Sequence, residues 1–440
     1  MQGDIMTKPQ LSNHFKSRQP SAIRLSQIEF LKRNDKVTDI NTAIGNVSLP
    51  AHPKLQERMF NLKGEQSPFK DGAVKYTTTV GLKEANDAFL NIIASSGFDT
   101  TGLFSQITDG GSQAMELLIV GLCGDAGTEE APLLLIDAAY TNYNSMAARV
   151  GRKTVSVTRT LQDDGSFTLP DRVEIEAQIR KYKPNAMVVI PYDNPTGHFY
   201  DKESMVMLAE LCVKYNMWLV SDEAYRELFY TEDSTSSIWG LADTEVPGIE
   251  GRRVSIETAS KVWNACGLRI GAIVTDNEEL HVKSVAENTA NLCPNAIGQY
   301  MFGGLADEDH QNLNQWYFEL RTYYQKMMVD LTEELKGRLP GVIVSSPDAS
   351  IYSVVDVRNL ASADFDAADF VLFCSGEGKV EIDGEFYTLL VSPMAGFYSV
   401  ESGQPNPGRT QMRIAYVAPP EDMKKVPLLF EQLFKAYQAR

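Results

Sequence analysis

The sequence predicts an α/β protein: a large domain with a mostly parallel (mixed) sheet flanked by helices, followed by a smaller α+β domain. Three observations carry this. Between residue 54 and about residue 300, short apolar runs alternate with longer amphipathic segments, the pattern of strands covered on both faces by crossover helices. After Pro340 the pattern shifts to short strands and a hairpin signal at Asp383–Gly384. The composition, with 43% hydrophobic and 22% charged residues over 440 positions, is that of a globular chain long enough to bury a large core.

The strands expected in the large domain are Leu133–Ile136, Thr154–Val157, Ala186–Ile190, Trp218–Ser221, Val254–Glu257 and Gly271–Val274. The helices between them are Lys83–Ser95, Ser112–Gly121, Asp171–Tyr182, Lys202–Tyr215 and Glu278–Asn291. A long helix-prone stretch spans about 305–337, with Trp316, Tyr317, Leu320, Tyr324 and Met327 at spacings near three and four. Beyond it, Val342–Ser346, Tyr352–Val357, Lys379–Ile382, Phe386–Leu390 and Arg413–Val417 read as strands, and Asp364–Ser375 and Glu421–Gln438 as helices. The hairpin within Lys379–Tyr398 reads as a surface decoration. Residues 1–53 are punctuated by Pro9, Pro20, Pro50 and Pro53 and hold one short helix at Ala22–Lys32. The expected division is 1–53, packing with the small domain; 54–304, the large domain; and 305–440, a linker helix and the small domain.

The formal charge of −17, from 58 acidic and 41 basic residues, argues against a nucleic-acid partner, whose affinity rests on neutralised phosphates. It leaves room for a local cationic pocket. No apolar run reaches the ~20 residues of a membrane helix, and Met1–Gln10 lacks an apolar signal region, so a cytoplasmic protein is expected. The five cysteines, Cys123, Cys212, Cys266, Cys293 and Cys374, form no CxxC pair and read as buried free thiols. The five histidines are scattered, and no metal site is expected.

In a parallel α/β sheet, ligands bind beyond the carboxyl ends of the strands. Three predicted strands are followed there by Asn194–Pro195–Thr196–Gly197, by Asp222–Glu223–Ala224–Tyr225 and by Thr258–Ala259–Ser260–Lys261. An amide, a carboxylate and an amine thus meet at one sheet edge. Two further features suit a phosphate. Gly110–Gly111–Ser112–Gln113 enters a helix, whose first N–H groups and a hydroxyl attract anions. Arg269, flanked by Gly267 and Gly271, can approach an anion closely and bind it with two parallel donors.

These motifs, in this order and spacing, resemble the fold-type I pyridoxal-phosphate enzymes, specifically the class I/II aminotransferases; the matched pieces run from Ile44–Gly45 to Arg413. The resemblance implies pyridoxal 5'-phosphate as cofactor and a ping-pong transfer of an amino group from an L-amino acid to a 2-oxo acid. Lys261 looks like the catalytic lysine that holds the cofactor aldehyde and moves the Cα proton. Asp222 looks like the partner of the pyridine nitrogen, keeping it protonated. Asn194 and Tyr225 resemble the pair that bond the ring's phenolic oxygen, and Tyr140 the aromatic stacked on the ring. Gly110, Gly111, Ser112, Gln113, Thr258 and Arg269 match the phosphate-binding positions. Tyr76, in Lys75–Tyr76–Thr77, matches a tyrosine that reaches the phosphate of a partner subunit, which implies a homodimer with shared active sites. Arg413 matches the arginine that binds the substrate α-carboxylate, with Asn194 beside it, and Ile44–Gly45 the segment that closes over the substrate.

One dicarboxylate-specific branch carries a lysine where this chain has Ser112; other cations, such as Arg18, Arg24 or Arg149, could substitute for it. The same residue set also serves carbon–sulfur β-lyases and other fold-type I pyridoxal-phosphate enzymes, so elimination or another reaction of that group stays open as an alternative to amino transfer. A cofactor-sensing DNA-binding regulator is disfavoured, because residues 1–53 show no helix-turn-helix pattern.

Overall fold

The computed structural model describes residues 9–346, 348–401 and 403–440; Met1–Lys8, most of the polar start read above, lie outside the described residues. Among the described residues no helix is long and apolar enough to cross a membrane.

A seven-stranded sheet forms the centre. Its spatial order is Phe104–Thr108, Gly271–Thr275, Arg253–Thr258, Trp218–Asp222, Ala186–Val189, Leu133–Asp137 and Thr154–Thr158. Gly271–Thr275 runs antiparallel to both its neighbours, and the pairings from Arg253–Thr258 outward are parallel. The six predicted strands are present within a residue or two. Phe104–Thr108 was not expected: Ser105, Gln106 and Thr108 interrupt its apolar signal, yet all three are buried. The buried Gln106 amide donates to the Ser284 carbonyl, while its Oε1 has no partner among the described residues.

The antiparallel strand has a direct consequence for the site. Gly271 pairs with Thr258 on one side and with Thr108 on the other. The beginning of this strand therefore lies at the same edge as the ends of the parallel strands. Arg269, two residues before it, is thereby delivered to this edge beside Gly110.

The 29-residue helix His310–Arg338 buries Leu313, Tyr317, Leu320, Tyr324, Met327, Leu331 and Leu335, a stripe at spacings of three and four. Asp309 caps it by accepting from the Gln311 N–H. A second, antiparallel sheet follows, ordered Ile343–Val344, Tyr352–Asp356, Gln411–Ala415 and Ser392–Pro393. A third sheet places Glu385–Leu390 between Thr38–Asn41, parallel to it, and Val380–Ile382, antiparallel. The hairpin turns at Asp383 and Gly384, both at positive φ, as its tight turn requires. It is no surface decoration: its second strand is the middle of a sheet completed by the N-terminal segment. The expected helix Glu421–Gln438 is two helices, Pro420–Met423 and Val426–Gln438. Pro427 explains the break, since it lacks the N–H that a continuous helix would use. Cys212 and Cys374 are buried, whereas Cys123, Cys266 and Cys293 are only partly so, which corrects the expectation of five buried thiols.

Beneath the site edge lies a buried ionic cluster. Arg226 Nη2 is 2.5 Å from Glu223 Oε2 and 2.6 Å from Glu257 Oε1, with all three side chains almost fully buried. Burial pushes the Glu223 carboxyl up, and the like charge of Glu257 adds to this. Glu223 follows Asp222 and Glu257 precedes Thr258, so the cluster ties together the two strand ends that carry site residues. Replacing Arg226 by methionine will leave two buried carboxylates without their cation and cost about 3–5 kcal/mol. A lowered urea midpoint, partly restored by adding Glu223→Gln, is the expected reading.

Candidate active site

A cavity of about 400 Å³ opens at this sheet edge. Lys261, Asp222, Asn194, Tyr225, Tyr140, Thr258, Arg269, Gly111, Ser112, Gly45 and Arg413 all line it. Of the residues singled out from sequence, Gly110, Gln113 and Tyr76 do not. Gly110 lies just behind the wall. The Gln113 side chain is turned away: it accepts from the Asp109 N–H and donates to Asn288, leaving only its backbone at the helix start. Tyr76 is 78% exposed.

Asp222 ends its strand at the cavity floor. Its Oδ2 accepts from the Tyr143 hydroxyl at 2.5 Å, and its Oδ1 from the Ala224 N–H at 3.2 Å. Burial pushes this carboxyl up, while the Tyr143 and Ala224 bonds hold it down. A cationic N–H placed against it would favour the carboxylate further. Tyr143 was not foreseen as a site residue; it lies in the first turn of the short helix Asn142–Arg149, and its ring stands edge-on to that of Tyr140 at 5.4 Å.

Asn194 is fixed from behind. The preceding Asp193 forms a fully buried ion pair with Arg159 at 2.8 Å and accepts from the Thr196 hydroxyl and N–H. This turn is therefore held by charge as well as by its proline. Asn194 Oδ1 accepts from Arg413 Nη1 at 2.8 Å.

Arg413 reaches the cavity from the second sheet. Its Nη2 donates to the Ala43 carbonyl at 2.7 Å. The guanidinium carbon lies 4.3 Å from the Tyr352 ring centre and 5.1 Å from that of Phe397. The residue is 3% exposed, its Nε has no hydrogen-bond partner, and among the described residues it forms no ion pair. A buried guanidinium without a carboxylate is unfavourable unless a ligand supplies one.

The Lys261 amine donates to the Gly45 carbonyl and forms no ion pair with a described carboxylate. Gly45 is threaded between Lys261 and Tyr352: a Cβ there would collide with the Tyr352 hydroxyl and stand 3.2 Å from Lys261 Nζ. Tyr352, also unforeseen as a site residue, shares a 2.7 Å hydrogen bond with the Tyr225 hydroxyl.

The anion cradle fits a phosphate. Gly110 has φ +77°, and a Cβ on it would come within 2.6 Å of Arg269 Nη2. Only glycine lets that guanidinium rest against the helix start. The first N–H groups of helix Gly110–Leu122 have no intrahelical acceptor, and Ser112 and Thr258 add hydroxyls at the wall. A phosphate cradle, a carboxylate, an amine and an unpaired arginine therefore face one volume. That donor set fits pyridoxal 5'-phosphate.

Fold and site together define a cofactor-dependent enzyme acting on carboxylate-bearing small molecules. The family model for aminotransferase class I and II matches residues 56–383, and the chain belongs to that family: it is a pyridoxal-phosphate-dependent aminotransferase. The aspartate/prephenate aminotransferase of Thermus thermophilus is 24% identical over 82% of this chain and 88% of its own. The cystathionine beta-lyase PatB of Bacillus subtilis is 25% identical over 56% of this chain and 60% of its own. A single mutant of Thermus thermophilus aspartate aminotransferase superposes with a TM-score of 0.78 at 20% identity, covering 97% of this chain and all of that one.

Proposed function

We propose that the protein moves the amino group of an L-amino acid to a 2-oxo acid in two alternating half-reactions, and that the residues of the cavity divide the work as follows. The cofactor, when bound, supplies the aldehyde that takes up the amine and the ring that accepts electrons from the substrate Cα. Lys261 holds that aldehyde between turnovers, then carries the proton from Cα. Asp222, braced by Tyr143, keeps the ring nitrogen protonated. Tyr225 and Asn194 bond the ring oxygen, and Tyr140 covers the ring face. Gly110, Gly111, Ser112, the backbone of Gln113, Thr258 and Arg269 hold the phosphate. Arg413 takes the substrate α-carboxylate with Asn194, and the Ile44–Gly45 segment excludes water from above.

The observation that carries this reading is the buried, carboxylate-free Arg413 facing the same cavity as Lys261. A donor carboxylate on Arg413 fixes the substrate amine toward the lysine. The exposed Tyr76 supports a homodimer in which it completes a partner's phosphate site. The division at residues 53 and 304 is part of the same proposal: it would let the unit bearing Arg413 close on the cofactor unit, and the pairing of Thr38–Asn41 with Glu385–Leu390 supports grouping the N-terminal segment with the former. A cytoplasmic location suits a chain with partly exposed free thiols.

The test is a panel of amino donors with 2-oxoglutarate as acceptor, including aspartate, alanine, leucine and phenylalanine. Amino transfer from at least one donor, with double-reciprocal plots running parallel, is expected. Release of pyruvate and ammonia from cystathionine, with no donor turned over, would assign the protein to the β-lyase chemistry of its more distant relative instead.

A further inference from the structure

We propose that Arg24 is the recognition residue for a second carboxylate, so that the substrates are amino acids with an acidic side chain and the matching oxo diacids. This rests on the amino-transfer reading above. Among the described residues lining the cavity there are four basic side chains, Arg24, Lys261, Arg269 and Arg413, and one acidic, Asp222. Each of the others has an assigned counterpart: the phosphate for Arg269, the aldehyde for Lys261, the α-carboxylate for Arg413 and the ring nitrogen for Asp222. Arg24 is left over.

Its setting is that of a ligand-binding group. Arg24 belongs to helix Ala22–Leu31, which packs on helix Ala367–Gly376, and its exposed side chain lines the cavity. Its Nη1 donates to Gln27 Oε1 at 3.0 Å. This neutral partner orients the guanidinium without cancelling its charge. Among the described residues it forms no ion pair, although the chain has 58 carboxylates for 41 basic groups. Arg149, by contrast, is committed to Glu116, and Arg18 does not reach the cavity. The planar fork of Arg24 suits a carboxylate, and this exposed residue lines the same cavity as the buried Arg413, an arrangement that suits a substrate with a carboxylate at each end.

The experiment compares succinate with butyrate, four-carbon acids that differ in the second carboxylate, as ligands of the cofactor-loaded protein by calorimetry. The wild type will bind succinate more tightly by about 10- to 100-fold, the range of one charge-assisted contact. Arg24→Met will erase that preference and leave butyrate binding unchanged; Arg24→Lys will keep part of it. In turnover, Arg24→Met will raise KM for aspartate and leave alanine within about threefold of its wild-type value. The inference is overturned if the wild type shows no preference for succinate, or if Arg24→Met weakens both acids equally. Failure of the amino-transfer reading looks different: no donor, acidic or neutral, is turned over, whatever the binding preference.

Discussion

Lys261→Ala will lose amino transfer by about 10⁴-fold or more, because the variant lacks both the covalent attachment and the proton carrier at Cα. The two losses can be separated. Borohydride reduction of the cofactor-loaded wild type will fix the cofactor on the peptide that contains Lys261. In the variant no peptide will be labelled, yet the cofactor will still bind reversibly, since Arg269, the helix start at Gly110 and Asp222 are untouched. The protein will also keep its fold: the Lys261 amine has no carboxylate partner and bonds only to the Gly45 carbonyl. Labelling of any other lysine in the wild type would overturn the assignment. Retention of more than a few per cent of the rate in the variant would show that another group moves the proton.

How much of this was legible beforehand depended on whether a feature is local. The strands buried on both faces, such as Leu133–Asp137 and Gly271–Thr275, announce themselves as apolar runs because no position faces water. Asn194, Asp222 and Lys261 follow such runs, and a strand's carboxyl end is where an α/β sheet presents ligands. Phe104–Thr108 was hidden because its buried positions include the polar residues Ser105, Gln106 and Thr108. Thr38–Asn41 was hidden because its stability is borrowed from Glu385–Leu390, more than 340 residues away. The same limit applies inside the cavity. Tyr352 and Phe397 carry no local signal of a site role; only the folded chain brings both rings against Arg413. Tyr143 has no special local signal; its importance arises only when its hydroxyl meets Asp222. Candidate ligand-facing residues along one strand edge are thus readable in one dimension, and residues that orient them through tertiary contact are not.

Arg413→Lys will lower kcat/KM for every donor by on the order of 10²- to 10³-fold, the loss of a two-point, charge-assisted contact. Lysine keeps the charge but not the geometry. In the native site Nη1 is held by Asn194 and Nη2 by the Ala43 carbonyl, so the guanidinium plane is set before any ligand arrives, with the Tyr352 and Phe397 ring centres 4.3 and 5.1 Å from its carbon. An ammonium group offers no plane to clamp and no paired donors to present. The comparison with Arg226 sharpens the expectation. Both arginines are buried, but Arg226 lies between two carboxylates, while Arg413 has none among the described residues. Removing Arg226 strands two charges and should unfold the protein more readily. Removing Arg413, as Arg413→Met, deletes a charge that no described carboxylate pairs, so the urea midpoint should fall far less than for Arg226→Met while activity collapses. That divergence is the signature of a residue retained for its ligand. If Arg413→Met and Arg226→Met lower the midpoint equally, and Arg413→Lys keeps kcat/KM within about threefold, Arg413 is a packing residue and the substrate carboxylate must be held elsewhere.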